Sequence, residues 1–150
     1  MARILNEIII DAPVERVWRV LASIEELDRY DPGVKRSVST SDAKSGIGAS
    51  RRVEMNDGKN WFEETTIEYA INHTLTFALT ECSFPIEKLT HRYCLQTVGE
   101  RTKVCQEMNY TVKFGPIGLL LDVMVIRAQS DKGVKVFFVG LKSHVERNSD

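Results

Sequence analysis

Few side chains in this sequence combine reactive chemistry with a setting that could use it, and Glu63 is the sharpest of them. Trp61, Ile67, Tyr69 and Ile71 recur at even spacing around it, so on the simplest strand reading its carboxyl shares an apolar face. A carboxyl drawn into such a setting has its pKa raised. It can then act as an acid or base near neutral pH, or orient a ligand hydroxyl. A partner such as Arg51, or exposure at a sheet edge, would make Glu63 structural instead, and Glu64 takes its place if the register slips by one. His91 is the second candidate, as a general base or a pH-sensitive ligand contact, although a lone imidazole also serves as ordinary packing. Tyr69, Tyr93 and Tyr110 join apolar rings to a terminal hydroxyl, which suits stacking on a polycyclic molecule while binding its oxygen. Asn6 interrupts Ile4, Ile8 and Ile10 with an amide, for which structural pairing is the simpler reading.

Other chemistries lack their motifs. There is no G-x-S-x-G elbow and no H-E-x-x-H pair. Gly46-Ile47-Gly48 precedes a strand and lacks the third glycine of a dinucleotide loop. Cys82, Cys94 and Cys105 are odd in number and form no C-x-x-C, so they read as strand thiols rather than a zinc site or oxidised framework. No metal or cofactor is expected.

The elements that must position these groups follow from periodicity. Ile4 to Ile10 reads as a strand ending at Asp11-Ala12-Pro13. Val14, Val17, Trp18 and Leu21 then mark a short amphipathic helix with Pro13 at its start. Ser23 and Glu26 have capping-box spacing for a second short helix carrying Ile24 and Leu27, closed by Asp31-Pro32-Gly33.

From Lys35 to about Lys113 the period is two, which means a meander of antiparallel strands. A two-residue turn at Gly99-Glu100 pairs Leu95 with Val104, Tyr93 with Gln106, His91 with Met108 and Leu89 with Tyr110 on a mainly apolar face. Gln96 with Lys103, Cys94 with Cys105, Arg92 with Glu107 and Thr90 with Asn109 fall on the other face. A three-residue loop at Asn72-His73-Thr74 pairs Ile71 with Leu75, Tyr69 with Phe77 and Ile67 with Leu79. A five-residue loop at Asn56 to Asn60 pairs Met55 with Trp61 and Val53 with Glu63. After Gly115-Pro116 a long helix reaches about Arg147, with Val134, Phe137, Phe138, Leu141 and Val145 on one stripe and a kink expected between Arg127 and Gly133.

The whole is one α+β domain over residues 1–150, a curved antiparallel sheet packed against a long C-terminal helix with two short helices after the first strand. With 150 residues, 20 Lys+Arg against 21 Asp+Glu and 43% hydrophobic residues, the chain reads as a soluble protein needing no stabilising staples. The near-zero balance argues against nucleic acid as a partner. No apolar run is long enough to span a bilayer, and the acidic N-terminal segment does not look like a signal peptide, so a cytoplasmic monomer or homodimer is expected.

Several local signatures occur in this order: Ile10-Asp11-Ala12-Pro13-Val14-Glu15-Arg16-Val17-Trp18, Ile24-Glu25-Glu26-Leu27, Pro32-Gly33-Val34, Gly46-Ile47-Gly48 and the closing Leu141-Lys142-Ser143-His144-Val145-Glu146. Together they resemble the START-like, birch-pollen-allergen-like superfamily, closest to its polyketide cyclase/dehydrase and lipid-transport branch. The resemblance implies a helix-grip fold with a hydrophobic cavity between sheet and helix, and a flexible lip formed by the glycine loop.

The expected lining is Val53, Met55, Trp61, Glu63, Ile67, Tyr69 and Phe77 from the first strands. His91, Tyr93, Gln106, Met108 and Tyr110 add to it from the last hairpin, with Phe137 and Leu141 from the helix. Trp61, Phe77, Phe137 and Leu141 also read simply as core. The leading expectation is binding or transport of a small hydrophobic, lipid-like or polycyclic, molecule. The alternatives are a cyclase or dehydratase in which Glu63, His91 or a Tyr moves protons, and a protein-interaction module marked by an exposed apolar patch.

Overall fold

The computed structural model describes residues 2–121 and 125–147, except for the side chain of Leu121. Strand β1 (Ala2–Ile10) leads into helices α1 (Val14–Leu21) and α2 (Leu27–Tyr30). Strands β2 (Val34–Ser39), β3 (Ser50–Met55), β4 (Trp61–Ala70), β5 (Thr74–Cys82), β6 (Ile86–Val98) and β7 (Arg101–Val112) follow. Helices α3 (Gly115–Leu121) and α4 (Arg127–Arg147) close the chain. The strands form one sheet in the order β1-β7-β6-β5-β4-β3-β2, every neighbour antiparallel. This is the α+β helix-grip arrangement expected from the sequence.

Helix α1 begins where Pro13, extended at φ -68 and ψ 154, offers its carbonyl to the amides of Arg16 and Val17. It buries Val17, Trp18, Val20 and Leu21. Helix α2 is shorter than the capping-box spacing suggests: it starts after Glu26 with no side-chain cap. Ile24 is buried outside the helix, its carbonyl accepting the Ser37 hydroxyl at 2.8 Å. Burial of Ile24 therefore comes from the turn rather than from a helical face.

Helix α4 lies across the concave side and buries Val134, Phe137, Phe138, Leu141 and Val145, the stripe read from the sequence. Each such side chain contributes about 1.5–3 kcal/mol relative to exposure. The segment from Arg127 to Gly133, where a kink or loose stretch is expected, is helix within α4, and the join between α3 and α4 at 122–124 lies outside the described residues. Polar ties hold the helix to β1: Lys142 Nζ donates to the Ile9 carbonyl at 3.0 Å, and Asn6 Nδ2 donates to Asp131 Oδ1 at 3.1 Å. The Asn6 amide is thus structural, as anticipated.

The β6–β7 register is the one predicted, pair for pair from Leu89–Tyr110 to Gln96–Lys103. Two other registers differ from expectation. In β3–β4, Val53 faces Phe62, Glu54 faces Trp61 and Arg52 faces Glu63, a shift of one residue. The cause is the turn: Asp57 Oδ1 accepts the amides of Lys59 and Asn60, Gly58 takes φ +77, and Met55 N reaches Asn60 O, so Met55 belongs to the loop closure. In β4–β5 the tight loop is Ile71-Asn72-His73, with Asn72 in the left-handed region at φ 66, and Tyr69 faces Leu75. Register shifts beside Glu64 and at Ile67 then put Thr66 opposite Phe77 and Glu64 opposite Leu79. A bulge swaps which face the following residues occupy, and this reassigns the carboxylates.

Candidate functional site

The concave face of the sheet carries a small polar group set among apolar side chains. Arg51 from β3 and Glu64 from β4 are direct cross-strand partners, and both side chains are almost fully buried, at 5% and 3% exposure. Glu64 Oε1 accepts from Arg51 Nη2 at 2.7 Å and from Nε at 2.8 Å. The guanidinium also lies over the Phe77 ring, 4.5 Å from its centroid. Burial opposes its charge, yet the Glu64 carboxylate outweighs that, so the Arg51 pKa rises above its usual value.

Beside Phe77 on the same side stands His91, stacked on Tyr93 with the ring planes 9° apart. His91 Nδ1 is 2.7 Å from Gln106 Nε2. With the amide donating, the imidazole is neutral and carries its proton on Nε2. Desolvation in the concave face pushes the His91 pKa down; Glu64 opposes this and Arg51 reinforces it. His91 nevertheless stays half-exposed while its strand partners Phe77 and Met108 are buried. Tyr93 and Phe137 touch at 5.7 Å between centroids, as do Tyr30 and Phe137, so sheet, α2 and α4 meet in one aromatic contact. Burial pushes the hydroxyls of Tyr30 and Tyr93 well above their ordinary pKa.

Two polar atoms of this group lack hydrogen-bond partners among the described residues: Arg51 Nη1, a donor, and Gln106 Oε1, an acceptor. Leaving a buried polar atom unpaired costs about 1–3 kcal/mol. One is a spare donor and the other a spare acceptor, so their chemical complements are an oxygen and a hydroxyl.

The structure brings Val53, Phe77, His91, Tyr93, Gln106, Met108, Tyr110, Phe137 and Leu141 to the interior, among the residues expected there. Tyr69 meets Trp18 edge-on at 5.2 Å and also lines a surface groove of about 540 Å³ with Ile71 and Ser23. Met55 is half-buried at the hairpin end, close to Gly33. Three expected residues lie elsewhere. Glu63 points to the convex face, where its Oε1 meets Arg52 Nη1 at 3.3 Å. Trp61 lies under the Arg52 guanidinium at 4.0 Å, and Ile67, at the bulge, is 50% exposed. The one-residue shift in β3–β4 accounts for the first two. Glu64 is therefore the interior carboxylate, and Arg51 is its partner rather than that of Glu63.

The glycine loop runs beside β4, with Gly48 N donating to Thr66 O and Thr66 N to Ala49 O, both at 2.9 Å. Lys44 of the same loop reaches Glu25 at 3.6 Å across the surface groove. No group of His, Cys, Asp and Glu among the described residues is arranged to hold a metal ion, and no helix there is long and apolar enough to cross a membrane.

Comparison with known proteins places this geometry. No curated protein matches the sequence. Among solved structures, TTHA0849 from Thermus thermophilus superposes with TM-score 0.83 at 22% identity, covering 99% of this chain and 100% of its own. The Zhui aromatase/cyclase from Streptomyces sp. R1128 gives TM-score 0.79 at 13% identity over 99% and 96% of the two chains. A START superfamily protein from Mycobacterium smegmatis gives 0.80 at 14% identity over 97% of each. These likenesses establish the fold. With residues 1–146 matching its family model as well, the chain belongs to the polyketide cyclase/dehydrase and lipid transport family.

Proposed function

We propose that this protein binds a small, mainly apolar molecule with an oxygenated end, held between the sheet and α4. Its carbonyl or carboxylate oxygen faces Arg51 Nη1, and a hydroxyl faces Gln106 Oε1. The observation that carries this reading is the pair of buried, unpartnered polar atoms on an otherwise apolar face. Nothing in the stability of the fold calls for them, and a ligand that satisfies both recovers the cost of their burial. His91, half-buried between Phe77 and Met108, gives this face one group in contact with solvent.

Titration with cis-parinaric acid, a fluorescent fatty acid, and with hydroxylated polycyclic aromatics tests it. Saturable one-to-one binding by either class is expected, together with a thermal shift. Absence of saturable binding by both classes would defeat the proposal.

A cyclase or dehydratase reading is favoured by one further feature, the neutral His91 whose Nδ1 is held by Gln106, which leaves an Nε2–H to donate to an oxygen on which negative charge develops. It makes a separate demand: a reactive poly-β-keto thioester must give cyclised product with the wild type and at least ten times less with His91→Gln. Binding without turnover would leave the carrier reading alone.

A further inference from the structure

On the convex face, Cys94 of β6 and Cys105 of β7 are direct cross-strand partners, both free and both half-buried. The pairing is regular from Lys88–Thr111 to Val98–Arg101, with no bulge near the thiols. A two-residue turn makes Val98–Arg101 a hydrogen-bonded pair, and counting back in twos makes Cys94–Cys105 one as well. Such pairs hold their Cα atoms about 5.5 Å apart, within the roughly 4.4–6.8 Å that a disulfide spans, and their Cβ atoms at up to about 5.5 Å, so the bridge closes by drawing the two strands about 1 Å together.

We propose that Cys94 and Cys105 form a redox-active dithiol that a peroxide converts into a cross-strand disulfide. The thiolate of one cysteine attacks a peroxide oxygen, the O–O bond breaks, and a sulfenic acid forms with release of water. The second thiol then attacks that sulfur, the S–S bond forms, and the sulfenic oxygen leaves as water. Two thiols and one hydrogen peroxide give one disulfide and two waters, a two-electron oxidation that a dithiol reductant reverses.

Charged side chains surround both thiols. Arg92 stands two residues before Cys94 on the same face and is paired with Glu68 at 3.0 Å. Cys105 Sγ lies 3.8 Å from Glu7 Oε2, and burial pushes its thiol up, with Lys103 opposing this and Glu7 adding to it. Either cysteine can attack the peroxide first, with its cross-strand partner resolving. A shallow groove of about 440 Å³ lined by both cysteines, Leu5, Arg92 and Glu107 admits a small oxidant. The immediate neighbours Tyr93 and Gln106 point to the other face, so the disulfide fixes the strand pair directly behind the His91–Gln106 contact.

The test is peroxide treatment of the folded protein, then alkylation under denaturing conditions, mass spectrometry and peptide mapping. Alkylatable thiols should fall from the three present to one, with a mass loss of two hydrogens and a peptide joining Cys94 to Cys105. Cys82, whose Sγ faces the carbonyls of Phe84 and Ile86, should remain free, and Cys82→Ser should behave as the wild type. Cys94→Ser and Cys105→Ser should each abolish the intramolecular crosslink. Phenylarsine oxide, which bonds two adjacent thiols with release of water, should bind the untreated wild type one-to-one and neither serine variant. Three thiols still alkylatable after peroxide, a crosslink involving Cys82, oxygen addition in place of hydrogen loss, or no arsenical binding would each overturn the proposal.

Discussion

Arg51 and Glu64 face one another across β3 and β4 at 2.7 Å, both side chains nearly sealed from solvent, while Arg52 and Glu63, one residue along on each strand, meet at 3.3 Å in the half-exposed outer layer. The same chemistry thus occurs on both faces of one strand pair, in two dielectric settings. Removing one partner of a buried pair strands a charge and costs about 3–5 kcal/mol, whereas an exposed pair contributes about 0–1 kcal/mol. Glu64→Gln should therefore lower stability by that larger amount in urea unfolding, and Glu63→Gln by less than about 1 kcal/mol. Equal effects would contradict the register described for β3 and β4.

His91 gives a pH signature of known sign. Its pKa in the folded chain is depressed below the ordinary 6.5 by desolvation, with Arg51 adding to that and Glu64 opposing it. The unfolded chain therefore takes up a proton first as pH falls. The contribution to stability is whole above about pH 6.5 and declines as pH drops from there through the folded value, at up to about 1.4 kcal/mol per pH unit for one proton. Unfolding free energies compared between about pH 7.5 and about pH 5.5 should fall more steeply for the wild type than for His91→Gln. Parallel pH dependences would show that the ring is not held neutral.

How far the site could be read in advance depended on turn chemistry. Gly99-Glu100 allows one tight turn, with Gly99 at φ 63, and every pair from Leu89–Tyr110 onward followed from it, including the His91 and Gln106 neighbourhood and the facing cysteines. At Asn56 to Asn60 a five-residue count ignored the side-chain carboxylate of Asp57, whose bonds to Lys59 and Asn60 set the closure one residue away. That single step put Glu63 outside and Glu64 inside. Ile67 was unreadable for a different reason, since a bulge leaves no mark in an alternating pattern. Arg51 did carry a signal: it stands two residues from Val53, which is fully buried.

Gly140 lets α4 approach the end of α2 closely. A Cβ built there would overlap the Tyr30 carbonyl oxygen, a backbone atom that cannot swing aside. Alanine favours helix over glycine by about 1 kcal/mol, so propensity alone predicts a stabilised Gly140→Ala. The close approach predicts the opposite, a loss of about 1–3 kcal/mol from overpacking. Gly133, also within α4, provides the control, since a methyl group added there meets nothing within 4 Å. Thermal unfolding should show Gly133→Ala stabilised and Gly140→Ala destabilised, and a stabilised Gly140→Ala would mean the helices are not in contact as described.

The buried pair also separates stability from binding. A well-packed apolar substitute for a buried ion pair is often neutral or stabilising by about 1–4 kcal/mol, because the cost of desolvating both charges disappears. Arg51→Met combined with Glu64→Leu should therefore fold at least as stably as the wild type, in contrast to Glu64→Gln alone. It also removes Nη1, the unpartnered donor proposed to meet the oxygen of the ligand. Binding of a carboxylate-bearing apolar probe such as cis-parinaric acid should weaken by about 10-fold or more, since a charge-assisted hydrogen bond contributes about 1.5–3 kcal/mol and about 1.4 kcal/mol is tenfold in affinity. The methyl ester of the probe, which accepts only a neutral hydrogen bond, should lose less. A double variant that stays folded and binds acid and ester as the wild type does would place the ligand away from Arg51, because the fold would have lost its only interior cation among the described residues without consequence for recognition.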